Sequence, residues 1–256
     1  MSTIEAIFLD LGNTLRILVK DPEHMARARQ KIVQLTGTDE DPVDLVTKLD
    51  ERYTRYRKWA LEHLQEAPES EMWTRWLLPD LPATTIARLA PELTYQYRQS
   101  MGRRVVVAGG REVVAELQRR GYRLGIISNL IGTREIPEWL EQENFAPYFE
   151  AVVLSSVVGI RKPDPEIYLE AARRICVEPG KCAYVGDNLK RDVTGARSAG
   201  FGRVVIMIAA EQLARAEITS ESRPDNIIHG IGELLDIFPA LEFQTTEARI
   251  LDENHS

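Results

Sequence analysis

Short apolar runs recur along the chain, and each is followed by polar or glycine-rich residues and then by a helical pattern of apolar positions. Runs of this kind, bounded by turn residues, are typical of buried strands. Strands that alternate with helices predict a mostly parallel sheet covered on both faces and joined by right-handed crossovers. The predicted strands are residues 4–9, 122–127, 151–154, 182–185, 203–208 and 226–228, and the predicted helices are residues 111–120, 133–143, 165–175, 190–199 and 231–238.

Residues 16–104 show a different pattern, without strand-like runs and with apolar residues at helical spacing. Between Leu45 and Leu64 the apolar positions are three or four residues apart, which marks one face of a helix. The segment therefore predicts an all-helical insertion between the first strand and the rest of the sheet. Its other predicted helices are residues 23–35, 70–78 and 85–101.

Together the two patterns predict a doubly wound, Rossmann-like α/β domain with an inserted helical cap domain. The α/β core would comprise residues 1–15 and 105–242, and the cap residues 16–104. A chain of 256 residues suits one domain of ordinary size with a smaller insertion. Residues 243–256 are mostly polar, and for them we predict a flexible tail.

Charge and composition narrow the range of partners. The net charge is −7 and the pI is near 5.3, whereas binding to a nucleic-acid backbone needs clustered positive charge. We therefore expect no nucleic-acid partner. No apolar run is long enough to span a bilayer, and no basic region followed by an apolar stretch marks a secretory leader. We expect no membrane contact, a cytoplasmic location, and a monomer or homodimer.

Candidate chemistry lies at the points where the predicted strands end. Asp10 follows the first strand and Ser128 the second. Lys162 lies beyond the third strand, and Asp187 and Asp192 follow the fourth. Because ligands bind outside the carboxyl ends of the strands in an open parallel sheet, these residues are expected at one edge. The sequence therefore predicts a cluster of carboxylates, a hydroxyl and an ammonium at this edge, and this cluster is the candidate functional site.

Each of these residues taken alone has a simpler structural explanation. An aspartate after a strand is more often a turn or capping residue, and serine and asparagine favour turns through local hydrogen bonds. A single lysine is usually solvated. The coincidence of such groups after four successive strands is what favours a functional site.

The motifs resemble those of the haloacid dehalogenase-like superfamily, whose members are mostly magnesium-dependent phosphatases. Residues 8–15 resemble its first motif and residues 126–129 its second, Lys162 resembles the third, and residues 186–192 resemble the fourth. Order and approximate spacing agree over the whole chain. The helical insertion lies where the α-helical cap subfamily has its cap.

The resemblance implies a nucleophile and a metal site. Asp10 would attack phosphorus to give an aspartyl-phosphate, which water would then hydrolyse. Mg²⁺ would neutralise the charges that otherwise keep a carboxylate and a phosphate apart. Its ligands would be Asp10, Asp187 and the backbone carbonyl of Gly12, with Asp192 beside them or linked to the ion through water.

The resemblance also implies a phosphate-binding set. Lys162 would supply a positive charge and Ser128 a hydroxyl, and backbone amides near Asn129 would supply further donors for the transferring phosphoryl group. Thr14 would orient the first loop. The implied substrate is a small phosphorylated metabolite, such as a sugar phosphate.

One position departs from the family pattern. In most phosphatases of the family the residue two positions after the nucleophile is a second aspartate, which protonates the leaving oxygen and later activates water. Here that residue is Gly12. A general acid of this kind contributes about 10²–10⁴-fold, so its loss favours substrates with better leaving groups, such as anomeric sugar phosphates or acyl phosphates. Glu23, His24 or the substrate itself could also supply the proton.

Two other kinds of function are compatible with Gly12: cleavage of a carbon–phosphorus or carbon–halogen bond, and binding without catalysis. Phosphonate hydrolases of the family add a cap lysine that forms an imine, for which Lys31 or Lys48 could be nominated. Metal-free dehalogenases carry Ser-Ser-Asn in the fourth motif, and the sequence Gly186-Asp187 disfavours them. Alternatively, the chain is not an enzyme and binds a phosphorylated ligand or a partner protein.

The start of the cap offers possible substrate anchors. Arg16, His24 and Arg27 lie there. For each of them individually we expect a solvated surface position, because a charged side chain without a partner pattern is usually exposed.

Overall fold

Residues 3–241 are described by a computed structural model, so the tail predicted for residues 243–256 lies outside the described part. The strands are β1 (Ala6–Leu9), β2 (Arg16–Val19), β3 (Arg103–Val106), β4 (Arg123–Ser128), β5 (Phe149–Leu154), β6 (Cys182–Gly186), β7 (Arg203–Met207) and β8 (Asn226–Ile228). A six-stranded sheet has the order β5-β4-β1-β6-β7-β8, with every neighbouring pair parallel. The prediction of a doubly wound α/β fold with a helical insertion is confirmed.

The helices that the sequence pattern predicts begin and end within about three residues of the predicted positions. The observed helices are α1 (Pro22–Thr36), α2 (Pro42–His63), α3 (Glu69–Glu71), α4 (Ala83–Gln99), α5 (Gly110–Arg119), α6 (Glu135–Gln142), α7 (Ser155–Val158), α8 (Pro165–Arg174), α9 (Leu189–Ser198), α10 (Ala210–Leu213) and α11 (Leu234–Ile237). A π-helix (Met72–Leu77) continues α3, and a 3₁₀ turn (Ile231–Glu233) precedes α11, so these two predicted helices differ in type. The sequence pattern does not predict the short helices α7 and α10. Within residues 3–241, no helix is both long and apolar enough to cross a membrane.

The central strand β1 is buried on both faces of the sheet. Successive side chains of a strand point to opposite faces, and here Ile7 and Leu9 pack into the apolar cluster that contains α5 and α6. Ala6 and Phe8 pack into the cluster that contains α8 and α9. Asp10 follows directly, at the carboxyl end of the middle of the sheet.

The helical insertion has its own apolar core, built around Trp73 and Tyr97, which are fully buried. The rings of these two residues meet edge to face with centroids 6.1 Å apart, a favoured geometry for aromatic pairs. The indole N–H of Trp73 donates to Thr94 Oγ1 at 2.7 Å, which satisfies its polar atom. The tryptophans of this segment therefore serve packing.

The prediction that residues 16–104 are helical throughout is wrong at both ends of the segment. β2 and β3 pair as an antiparallel ribbon, with Arg16 opposite Val106 and Val19 opposite Arg103. Local pattern does not indicate this ribbon, because its two strands lie far apart in sequence. In addition, the side chains from Ile17 to Val19 are all about two-fifths exposed and show no alternation of buried and exposed positions.

A further contact joins the insertion to the loop after β5. Gln65, just beyond α2, forms an isolated β-bridge with Ile160. The backbone N–H of Glu66 donates to the Gly159 carbonyl at 2.9 Å, and the N–H of Arg161 donates to the Leu64 carbonyl at 3.0 Å. The insertion therefore contacts the loop that leads into Lys162 through main-chain hydrogen bonds.

A buried ion pair reinforces this contact. The Glu66 carboxylate accepts hydrogen bonds from the Arg161 guanidinium, from the Tyr56 hydroxyl and from Ser155 Oγ, the last at 2.8 Å. The side chain of Glu66 is fully buried, and that of Arg161 is nearly so. Burial, followed by the negative charge of Glu66, raises the pKa of Tyr56 above its ordinary value.

Glu66→Gln is expected to lower the free energy of unfolding by about 3 kcal/mol or more, because it leaves the buried Arg161 without a counter-charge. Urea denaturation followed by circular dichroism measures the loss. Glu71→Gln is the matched control: it breaks the exposed pair of Glu71 with Arg75 and should cost about 0.5 kcal/mol or less. Equal losses in the two variants would contradict a structural role for the Glu66 contact.

Candidate active site

Asp10 lies at the carboxyl end of β1 with its side chain almost completely buried. Its backbone N–H donates to the Val185 carbonyl at 2.8 Å, so the parallel ladder fixes the position of the residue. Its Oδ1 accepts hydrogen bonds from Ser128 Oγ at 2.8 Å and from the Leu11 N–H at 2.7 Å. One carboxylate oxygen is thus oriented by two donors.

Lys162 is fully buried beside the other oxygen of Asp10. Its Nζ lies 2.8 Å from Asp10 Oδ2 and 3.4 Å from Asp192 Oδ1. It also donates to the Ile127 carbonyl at 3.2 Å and to the Tyr184 hydroxyl. A buried ammonium is stable only when such partners surround it, so this positive charge is fixed beside Asp10.

The structure uses the Asn129 side chain to hold the main chain of Lys162. Asn129 Nδ2 donates to the Lys162 carbonyl at 2.9 Å, and the Lys162 N–H donates to Asn129 Oδ1 at 2.9 Å. Thr14 is fully buried, and among the described residues its Oγ1 has no hydrogen-bond partner. At Gly12, an added Cβ would meet nothing within 4 Å.

Three carboxylates converge at this edge of the sheet. Asp10, Asp187 and Asp192 each offer an oxygen, and these atoms lie within 4.8 Å of one another. Asp192 is fully buried, and its Oδ2 accepts the backbone N–H groups of Asp187 at 3.2 Å and Asn188 at 3.0 Å. A donor set made only of oxygen atoms fits a hard cation such as Mg²⁺.

The ionisation of the cluster depends on the cations near it. Burial, followed by the negative charge of Asp10, raises the pKa of Asp187 above its usual range. Burial also opposes the ionisation of Asp192, but the charges of Lys162 and Arg191 outweigh it and hold the pKa of Asp192 below its usual value. Burial and crowding therefore disfavour the ionised form of Asp187, whereas the two neighbouring cations favour the ionised form of Asp192.

Arg191 is a site residue to which the sequence analysis gave no role. Its Nη2 lies 2.9 Å from Asp187 Oδ1 and Asp192 Oδ2 and 3.1 Å from Asp10 Oδ2. Arg191 follows Asp187 by four residues, a usual spacing for charged pairs, and this spacing could have predicted their contact from the sequence. Asn13, in a left-handed conformation with φ of 54°, donates to Asp187 Oδ2 at 2.9 Å.

The candidate anchors at the start of the insertion pair with residues other than the carboxylates of this cluster. The expectation of a solvated Arg16 is wrong, because its guanidinium is buried and donates to Glu135 Oε1 at 2.8 Å. His24 is half-buried and bonds to Gln99 Oε1 at 2.9 Å, whereas Arg27 is exposed as expected. His24 and Arg27 line a cavity of about 340 Å³, and none of the residues predicted to bind metal or phosphate lines it.

Known proteins share the sequence pattern and the fold. A glyceraldehyde 3-phosphate phosphatase of Pyrococcus furiosus is 26% identical over 249 residues, which are 93% of this chain and 94% of that protein. One of Methanopyrus kandleri is 34% identical over 122 residues, and this alignment spans 48% of the chain and 52% of the relative. Several other relatives are likewise matched over only about half of their length. A 2-haloacid dehalogenase from Pseudomonas syringae pv. Tomato DC3000 shares the fold, with a TM-score of 0.67, 22% identity, and coverage of 92% of this chain and 98% of that one.

A protein-family model also matches the chain. The model of haloacid dehalogenase-like hydrolases matches residues 4–200, well over half of the chain. That range includes the strands β1, β4, β5 and β6, whose carboxyl ends carry the residues described above. The chain therefore belongs to the haloacid dehalogenase-like hydrolase family.

Proposed function

We propose that the chain is a magnesium-dependent phosphatase that hydrolyses a small phosphorylated metabolite through an aspartyl-phosphate on Asp10. The observation that carries the proposal is the environment of that carboxylate. Ser128 orients one of its oxygens, Lys162 lies 2.8 Å from the other, and two further aspartates lie within reach of a shared cation. Two of the relatives are glyceraldehyde 3-phosphate phosphatases, which supports a small phosphorylated metabolite as substrate.

In this proposal Asp10 is both a metal ligand and the nucleophile. Asp10, Asp187 and the Gly12 carbonyl would hold Mg²⁺, with Asp192 beside them, and the ion would neutralise carboxylate and phosphate charge. A carboxylate oxygen of Asp10 attacks phosphorus, and the bond from phosphorus to the leaving oxygen breaks with its electron pair. Water then cleaves the acyl phosphate, which restores the carboxylate and releases inorganic phosphate.

The phosphoryl group is stabilised by fixed donors. Lys162 cannot move away, because its ammonium is fully buried among Asp10, Asp192 and Tyr184. Ser128 donates from the end of β4, and backbone amides near Asn129 add further donors. Such donors cost little reorganisation when charge shifts onto the equatorial oxygens.

In this proposal, the lack of an acidic side chain at Gly12 determines which leaving groups can depart. With no carboxylate at that position, the leaving oxygen departs without help from an acid on this loop. Acyl phosphates and anomeric sugar phosphates leave readily without such help, whereas a simple alkoxide does not. We therefore infer that acyl phosphates and anomeric sugar phosphates are the preferred substrates. In this respect the proposal departs from the relatives, because glyceraldehyde 3-phosphate is an alkyl phosphate.

The phosphonate alternative receives no support from the nominated lysines. Imine formation needs a lysine that readily loses its proton. Lys31 is exposed, and Lys48 is held by Glu40, whose two oxygens lie 2.7 and 3.0 Å from its Nζ. Lys48 therefore pairs with an acid of its own surroundings instead of with a residue of the Asp10 cluster.

The test of the proposed function is phosphate release with Mg²⁺ from acetyl phosphate, an anomeric sugar phosphate and a terminal alkyl phosphate. The wild-type chain should favour the first two, and Asp10→Asn should abolish release from all of them, because an amide cannot attack phosphorus. Asp236→Asn, at an exposed position of α11, is the matched control and should retain full activity. No release by the wild type would overturn the phosphatase and favour a protein that binds a phosphorylated ligand or a partner.

Gly12→Asp should raise kcat for the alkyl phosphate by up to about 10²-fold, because a general acid at this position protonates the alkoxide. The variant should fold, since a Cβ at position 12 meets nothing within 4 Å. Hydrolysis of acetyl phosphate should change much less. Steady-state kinetics on both substrates measure the difference, and a wild-type rate on the alkyl ester equal to that on acetyl phosphate would mean that another residue already supplies the acid.

A further inference from the structure

The Arg191 side chain lies where three carboxylates meet, at a position of the fourth motif to which the sequence analysis gave no role. One nitrogen, Nη2, contacts Asp10, Asp187 and Asp192 at 2.9 to 3.1 Å, and Nε lies 2.8 Å from Asp192 Oδ1. These three residues are the ones whose oxygens converge within 4.8 Å. A single guanidinium therefore bonds every carboxylate of the cluster.

A metal ion would need the same atoms. Mg²⁺ binds carboxylate oxygens at about 2.0–2.1 Å, far shorter than the hydrogen bonds that the guanidinium makes. Two of the oxygens that could bind the ion, Asp10 Oδ2 and Asp187 Oδ1, each accept a hydrogen bond from Arg191. Because an ion on both oxygens would overlap the guanidinium, Mg²⁺ and Arg191 exclude each other from this position.

Of the two cations in the cluster, only Arg191 can withdraw. The Lys162 side chain is fully buried, whereas that of Arg191 is 27% exposed and begins in the first turn of α9. The Arg191 backbone N–H is capped by Asn188 Oδ1 at 2.7 Å, so the helix start does not depend on the guanidinium. The length and flexibility of this side chain allow the guanidinium to reach solvent once its hydrogen bonds to the carboxylates are broken.

The charge balance of the cluster favours an exchange of cations. Three carboxylates and the Lys162 ammonium leave two negative charges. One guanidinium compensates half of that excess, and a divalent ion would compensate all of it. The Coulomb energy of the cluster is therefore more favourable with one bound Mg²⁺ than with the Arg191 guanidinium in the same position.

We propose that Arg191 is a tethered counter-cation of the metal site, which neutralises the carboxylates when no metal is bound and is displaced when Mg²⁺ binds. The inference rests on the proposed metal site of the hydrolase and adds a residue that sets its affinity. Arg191 holds the three acids in place for the ion and at the same time competes with it. Removing the side chain should therefore strengthen Mg²⁺ binding and weaken the metal-free protein.

The experiment measures the Kd of Mg²⁺ by isothermal titration calorimetry, and Tm in EDTA and in saturating Mg²⁺, for the wild type, Arg191→Ala and Arg191→Gln. In both variants the Kd of Mg²⁺ should be at least about tenfold lower than in the wild type. This factor corresponds to the free energy of the charge-assisted hydrogen bonds that Mg²⁺ no longer has to displace. Their Tm in EDTA should fall below that of the wild type, and the rise in Tm on adding Mg²⁺ should be larger, because tighter binding stabilises the folded state more.

Arg197→Ala is the matched control. Arg197 lies on the same helix, and its guanidinium pairs with Asp225 at 3.0 Å instead of with the cluster. The Kd of Mg²⁺ should be unchanged in this variant. Because Arg191→Gln keeps a polar side chain without the positive charge, an effect shared with Arg191→Ala is attributed to the loss of the guanidinium charge.

The outcomes separate this inference from the proposed function. Equal or weaker Mg²⁺ binding in both Arg191 variants would overturn the competition and leave the phosphatase intact. A wild-type chain that binds Mg²⁺ but releases no phosphate would overturn the phosphatase and leave the competition intact. If neither the wild type nor the variants bind Mg²⁺, the competition falls together with the magnesium requirement.

Discussion

Repulsion among three crowded carboxylates is the constraint on which the arrangement of this site depends. Oxygens of Asp10, Asp187 and Asp192 lie within 4.8 Å of one another at the edge of a buried sheet. Negative charges so close cannot all persist away from bulk water unless cations touch them. The positions of Lys162 and Arg191 follow from that need, and the divalent ion that we propose would meet the same need.

The fold meets this constraint with rigid elements. The strand order places β1 between β4 and β6, so the residues that follow these three strands must converge. The loop that carries Lys162 is held from two sides, by the Asn129 side chain and by the hydrogen bonds of residues 64–66 in the helical insertion. Neighbouring Arg161 is tied to Glu66. The catalytic lysine candidate is thus fixed by the sheet and by the insertion together, and this explains how a buried charge can be placed reproducibly beside Asp10.

Much of this arrangement was predictable from sequence because it depends on local signals. Apolar runs and helical periodicity predict the sheet and its helices, and the position of Asp10 directly after the first run places it at the carboxyl edge. The ribbon of β2 and β3 was not predictable in this way, since its pairing joins residues far apart in sequence and its outer side chains are exposed. Arg16 was misjudged for a related reason: its partner Glu135 comes from a distant helix. The position of the Arg191 guanidinium depends on how the turn after β6 brings Asp187 and Asp192 together, and motif spacing alone does not show this.

The glycine at position 12 is best understood through the same charge constraint. Steric crowding does not require it, because a Cβ there would meet nothing within 4 Å. Its backbone is not in the left-handed region that favours glycine either, since no positive φ occurs at this residue. An aspartate at this position would bring another negative charge close to a cluster in which three carboxylates are already opposed only by Lys162 and Arg191. Glycine therefore limits the repulsion among these carboxylates and leaves the loop without a leaving-group acid, which agrees with the proposed preference for substrates whose leaving groups need no proton.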